Sequence, residues 1–379
     1  MQTDKELLEL ARTLIPEQKI VLKEVVKYCK NISTPQKSVV NPQLRLIVHG
    51  GAGVGKSQTI NTCSQWAEKI LRREGSNQDL PRVLLLAPTG VSANLIGGQT
   101  VHSAFSFKFG TDYTPITIDK TLHNMQVNLS ELKLIIIDEM SMISSDMLYN
   151  IHHRLCDILG SKNIFAGRGM VLVGDLFQLK PVHGRFIFEQ PFQEKYQKHF
   201  HSAESIWNSC NAVTLVHNHR QDAGSEWAEA LNRFRNASHT EDDVALLRER
   251  VIDDPDDPKF RSASHTMYKR IDVYAHNKKM IESTDTKEYV IPAICHSPIA
   301  PKISPDGVID NTPFMKNLKI KEGSRIMLVL NIGTTDGLVN GAFGTIIKVV
   351  VNKNHQVDHL IVKFDNPKTG KNQRASKPS

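Results

Sequence analysis

Between residues 44 and 175 one pattern recurs: a short apolar run, a polar or glycine-bearing turn, then a longer segment with apolar residues at helical spacing. The runs are 44–48, 83–87, 134–137 and 170–173. Near-continuous apolar strands are those buried on both faces, as in a parallel sheet covered by crossover helices. The pattern therefore predicts an α/β, doubly wound domain. Over residues 57–72, Ile60, Cys63, Ala67, Ile70 and Leu71 fall near one stripe and predict the first crossover helix. After residue 221 the texture changes. Helices are expected through Trp227, Leu231 and Phe234 and over 244–250, then an acidic, proline-punctuated loop at 253–258. The segment 271–275 predicts a short strand followed by a polar helix, and 326–330, 344–351 and 359–364 predict strands joined by glycine turns. The expected division is a first domain over 1–214 and a second over 215–379, with an irregular insertion at about 291–325.

Composition narrows the class. The 379 residues are 40% hydrophobic and 23% charged, which supports a buried core and excludes a disordered or collagen-like chain. The 47 Lys and Arg outnumber 40 Asp and Glu, so a formal charge of +7 permits a polyanionic partner without requiring one. No apolar run approaches the ~18 residues of a membrane span, and the charged start Met1-Gln2-Thr3-Asp4-Lys5-Glu6 does not resemble a secretory signal. An intracellular protein with no membrane partner is expected. The five cysteines, Cys29, Cys63, Cys156, Cys210 and Cys295, form no CxxC pair, which argues against a disulfide framework or cysteine zinc site.

The densest chemistry lies in Gly50-Gly51-Ala52-Gly53-Val54-Gly55-Lys56-Ser57, a GxxxxGK[ST] sequence between an expected strand and an expected helix. Glycines let backbone N–H groups turn inward around a phosphate and the helix start adds positive potential. Lys56 can reach the outer phosphates and Ser57 can ligate Mg²⁺. Such a loop needs a metal-orienting carboxylate at a neighbouring strand end, and 134–137 is followed by Asp138 and Glu139. Asp138 is expected to hold Mg²⁺, and Glu139 to orient and deprotonate the attacking water. The strand at 170–173 ends in Gly174-Asp175-Leu176-Phe177-Gln178, so Asp175 and Gln178 can face the γ-phosphate. Nucleoside triphosphate hydrolysis with Mg²⁺ is the expected chemistry.

Several stretches resemble one family. They are the phosphate loop, 87–93, Gly98-Gln99-Thr100-Val101-His102-Ser103-Ala104-Phe105, the box Asp138-Glu139-Met140-Ser141-Met142, 174–182, 215–221, Leu231-Asn232-Arg233-Phe234-Arg235 and 338–344. Their order and spacing resemble the petite integration frequency (PIF) subfamily of superfamily-one DNA helicases. The resemblance implies a P-loop RecA-like domain followed by a second, incomplete RecA-like domain with a β-rich insertion. It implies ATP-driven 5′→3′ movement on single-stranded DNA and unwinding at DNA forks, in repair, recombination or telomere maintenance. Residue by residue, Gln18 resembles the adenine-reading glutamine, Arg220 an arginine finger delivered from the second domain, and Thr89, Gly90, His102 and Ser103 the DNA-contacting positions. Phe105, Phe107 and Phe109 alternate as same-side aromatics of a strand, which are more often core; a base-stacking face is the alternative. A nuclear protein is implied, with the mitochondrion as the alternative compartment.

Two motifs that the subfamily carries near its C-terminus, a His-Lys-Ser-Gln-Gly box and a following arginine segment, do not occur here, so a C-terminally truncated chain is expected. The competing readings are an ATP-dependent helicase, a non-unwinding nucleotide-dependent DNA-binding remnant of mobile-element origin, and a P-loop switch acting on a protein. DNA-stimulated ATP turnover separates the three.

Overall fold

The computed structural model describes residues 3–34, 43–72, 77, 79–107, 113–116, 120–182, 184–194, 196, 206–219, 225–252, 258–260, 263–294, 302–304, 307–309, 312, 314–333 and 336–376. The chain divides into two compact units, Met1–Arg250 and Val251–Ser379.

In the first unit six strands form one sheet: β1 (Arg45–Gly50), β2 (Val83–Ala87), β3 (Gln99–Thr100), β4 (Leu134–Ile137), β5 (Gly169–Gly174) and β6 (Asn211–Leu215). Their order is β3-β2-β4-β5-β1-β6, and every pairing is parallel. The four strands expected from apolar runs are all present, displaced by at most two residues at an end.

All residues of β4 and β5 are buried because both faces of the sheet are covered. Side chains alternate along a strand, so each strand feeds two cores. Ile135, Ile137, Met170 and Leu172 join Leu148, Ile151 and Leu155 of α7 (Ser145–Leu159) on one face. Leu134, Ile136, Val171 and Val173 meet Val21 and Val25 of α2 (Pro16–Ser33) and Ile60, Cys63 and Ala67 of α3 (Lys56–Leu71) on the other. The doubly wound α/β architecture is thus a direct result of apolar side chains pointing alternately to both sides. Replacing Ile136, which is 1% exposed, with Ala is expected to lower the unfolding free energy by about 2–5 kcal/mol in urea titration. A loss well below about 1 kcal/mol would contradict the two-sided packing.

The boundary differs from the expected break after residue 214. The strand β6 straddles that point and pairs with β1, Gly50 opposite Leu215, and α8 (Glu226–Arg235) returns Arg235 to Asp175 on β5's end. These contacts hold 215–250 in the first unit.

In the second unit the strand pairings are antiparallel among the described residues. A hairpin joins β7 (Glu288–Pro292) to β8 (Asn317–Lys321), and β9 (Arg325–Met327), β10 (Phe343–Val351) and β11 (Val357–Phe364) form a sheet in the order β11-β10-β9. Ile320, Ile346 and Val349 form its small core. The expected strand at 271–275 lies instead in the α-helix Arg270–Glu282, which buries no residue. Its alternation spans only five positions, and Ala275, Lys278, Lys279, Met280 and Glu282 favour helix. Among the described residues no helix is long and apolar enough to cross a membrane.

Candidate nucleotide site

Because the six strands run in parallel, the turns that follow them gather at one sheet edge. The turns after β4, β5 and β1, three adjacent strands, bring together Asp138 and Glu139, Asp175, and the phosphate loop.

The loop leaves β1 at Gly50 and enters α3 at Lys56. Gly53 and Gly55 have φ of 80° and 77°, the left-handed region that side chains disfavour. A Cβ on Gly55 would also collide with the Gln18 amide. Ala52 and Ser57 are exposed, Gly51 and Gly53 half-buried, and Val54 buried in the α2–α3 core. Lys56 Nζ donates to the carbonyls of Gly50 at 2.9 Å and Gly51 at 2.8 Å. Burial lowers its pKa, against the pull of the Glu139, Asp175 and Asp138 carboxylates. The loop and the acidic pair therefore share one electrostatic site.

Asp138 is buried at the end of β4, its amide bonded to Leu86 O, and its Oδ1 accepts from the Glu139 amide at 2.9 Å. Burial, reinforced by the Glu139 charge, pushes its pKa up to about 6. Glu139 adopts φ 51° and ψ 47°, uncommon for a residue with a side chain, and starts the turn Met140–Met142. Gly174 makes room for that turn: a Cβ there would lie 2.8 Å from the Met140 amide nitrogen. Ser57 and Asp138 offer hydroxyl and carboxylate oxygens, the donor set that suits Mg²⁺ together with phosphate and water oxygens. Among the described residues no group of three or more His, Cys, Asp or Glu could hold a metal by itself, and His217 and His219 simply stack edge to face at 4.7 Å.

Asp175 does not present a free carboxylate. Its side chain is fully enclosed. Arg235 Nε and Nη2 donate to its two oxygens at 2.8 and 2.6 Å, and the Phe177 amide donates at 3.1 Å. Burial pushes its pKa up, but these bonds and the Arg235 charge outweigh that and hold it below the usual carboxylate value. The same guanidinium lies 4.7 Å from the Phe177 ring centre and 3.3 Å from His49 Nε2. Gln178 is exposed and lies beside Phe177, Leu179, Lys180 and Phe186 in an open groove of about 590 Å³.

Gln18 is fully buried, and its amide is engaged at both ends. Oε1 accepts from the Ile15 amide at 3.1 Å, and Nε2 donates to Val54 O at 3.2 Å and Gly55 O at 3.4 Å. It braces the phosphate loop against α2 and does not offer an open amide edge. His219 N donates to Gly53 O at 2.8 Å, so 215–219, expected in the second domain, runs beside the loop within the first unit. Arg220 lies outside the described residues.

The DNA-contact candidates sit at the other end of the same edge, after β2 and β3. Thr89 caps α4 (Gly90–Leu95), its Oγ1 accepting from the Ser92 amide at 3.2 Å, and Gly90 is buried. His102 and Ser103 lie on α5 (Val101–Phe105), His102 half-buried and Ser103 exposed. Phe105 is not available for base stacking. It closes α5 in the core at 0% exposure, and Phe107 packs partly on the same core, the packing favoured for these aromatics from sequence. Phe109 lies outside the described residues.

Arg235 and His49 were not singled out from sequence. The run 231–235 carries two arginines on one helix end, and only folding separates them. Arg233 pairs with Asp243 at 2.6 Å within the capping box of the next helix, Glu241–Arg248, whereas Arg235 enters the nucleotide site.

Comparison with known proteins covers the same ground. The model of the PIF1-like helicase family matches residues 13–242, and that of the DNA helicase Pif1 2B domain matches residues 309–349. The chain is 26% identical over 317 residues to ATP-dependent DNA helicase PIF1 of Emericella nidulans, covering 82% of this chain and 40% of the relative. It spans between 33% and 42% of four such relatives. Its fold is similar to the crystal structure of Pif1 helicase from Candida albicans (TM-score 0.66, 21% identity, 93% of this chain and 74% of that one). The crystal structure of Bacteroides Pif1 bound to ssDNA gives a TM-score of 0.59 at 26% identity, over 91% of this chain and 72% of that one. The first match runs unbroken from the buried Gln18 through the phosphate loop and acidic pair to Arg235, well over half of the chain, and the chain therefore belongs to the PIF1-like helicase family.

Proposed function

We propose that this chain carries the ATP-hydrolysing motor of a DNA helicase that moves 5′→3′ along single-stranded DNA and opens forks. The observation that carries the reading is the meeting of Lys56 with Asp138, Glu139 and Asp175 at adjacent parallel strand ends. In this reading Lys56 contacts the outer phosphates, and the backbone from Gly51 to Gly55 wraps them. Ser57 and Asp138 hold Mg²⁺, which when bound neutralises charge on the transferred phosphoryl group. Glu139 orients the water, and Gln178 and Arg220 complete the γ-phosphate contacts. Gln18 reads adenine by exchanging its bonds to Val54 and Gly55 for the base edge.

Thr89, Gly90, His102 and Ser103 form the proposed DNA track at the neighbouring end of the edge. Contacts there go to phosphate oxygens, which suits sequence-independent movement. The Bacteroides relative crystallised with ssDNA supports that partner, and a nuclear location, with the mitochondrion as the alternative, goes with this reading. The test is ATP turnover with and without single-stranded DNA. Stimulation of about tenfold or more is expected, with binding that weakens at a log–log salt slope of about −0.7 per phosphate contact. Turnover indifferent to DNA would sink the motor reading and favour a switch; DNA binding without turnover would favour a static binder.

A further inference from the structure

Arg235 stands where a charge matters. Its guanidinium makes a two-pronged pair with the enclosed Asp175 carboxylate and lies over Phe177. A Cβ placed on Gly51 of the phosphate loop would be 3.6 Å from Arg235 Nε, so the fork is seated on the loop backbone. The charges acting on Lys56 are those of Glu139, Asp175, Asp138 and Arg235. Three carboxylate charges thus act on the lysine that would meet a triphosphate. Asp138 and Glu139 have work there, with metal and water. Asp175 instead spends both oxygens on Arg235 and the Phe177 amide.

We infer that Arg235 is a positioning residue of the nucleotide site: it neutralises Asp175 and turns that carboxylate away from the phosphates, leaving Lys56 to them. The inference rests on the nucleotide reading above and adds a residue to it. Only a quarter of the Arg235 side chain is exposed and none of Asp175, so this is not a solvated surface pair of small worth. Removing the arginine leaves an enclosed carboxylate uncompensated, and that charge then repels the triphosphate and competes for Lys56.

A double-mutant cycle tests this charge balance. A fluorescent ATP analogue is titrated into the full chain as wild type, Arg235→Ala, Asp175→Asn and the double variant. Arg235→Ala is expected to weaken binding by about tenfold or more, and the double variant to return to within about threefold of Asp175→Asn alone. Thermal melts of the same four proteins accompany the titration: an affinity that falls and recovers only in step with thermal stability means a purely structural role and overturns the inference. Unchanged affinity in Arg235→Ala overturns the inference. So does a double variant as weak as Arg235→Ala, which would mean that the guanidinium reaches the phosphate itself. If Arg235→Ala lacks a cooperative thermal transition, Arg235→Gln, of similar length but uncharged, takes its place in the cycle. A wild type that binds no analogue overturns the nucleotide reading as well, so the two failures are distinct.

Discussion

Replacing Glu139 with Gln is expected to slow ATP hydrolysis by about 10²–10⁴-fold while leaving nucleotide affinity within about threefold. The change is nearly isosteric, so the turn at Met140–Met142 and its close packing over Gly174 are kept. What is lost is the carboxylate that takes a proton from the attacking water. The strained backbone at Glu139, with φ 51°, costs of order 1–3 kcal/mol and holds this carboxylate within electrostatic reach of Lys56. Single-turnover hydrolysis and analogue titration together read the effect. Turnover at the wild-type rate would remove Glu139 as the base.

Replacing Lys56 with Ala is expected to weaken ATP-analogue binding by about 10²-fold or more. The ammonium now gives two hydrogen bonds to Gly50 O and Gly51 O; with nucleotide present, those donors pass to outer phosphate oxygens. Charge-assisted bonds of this kind contribute about 1.5–3 kcal/mol each, and two of them convert to about that loss of affinity. The nearby Glu139 and Asp138 enlarge the effect, since without the cation their charges stand unopposed at the loop. Unchanged affinity in this variant would show that the loop does not hold phosphate through Lys56. Arg235→Ala and Lys56→Ala differ in one respect: only the former is repaired by Asp175→Asn.

The first unit was legible wherever the deciding forces act over a few neighbouring residues. Four strands and the helix after the phosphate loop follow from apolar runs and helical spacing, because burial on both faces leaves no polar position in β4. The phosphate loop is legible for a similar reason: its glycines and its lysine act within eight consecutive residues. The segment 271–275 shows the limit. Its alternation meets the strand pattern, yet a strand also needs a neighbouring edge, and no local signal reports whether one exists.

By itself the sequence determined the parallel strands, the phosphate cradle and the acidic pair, since side-chain periodicity and backbone freedom are properties of short stretches. The tertiary structure alone decided that β6 pairs with β1 and keeps 215–250 in the first unit. It alone decided that Gln18 is enclosed against Val54 and Gly55. It also decided that Arg235, not Arg233, reaches Asp175 across 60 residues of chain. Those outcomes depend on which distant groups meet once the two cores close, and charge pairing and enclosure have no signature until they do.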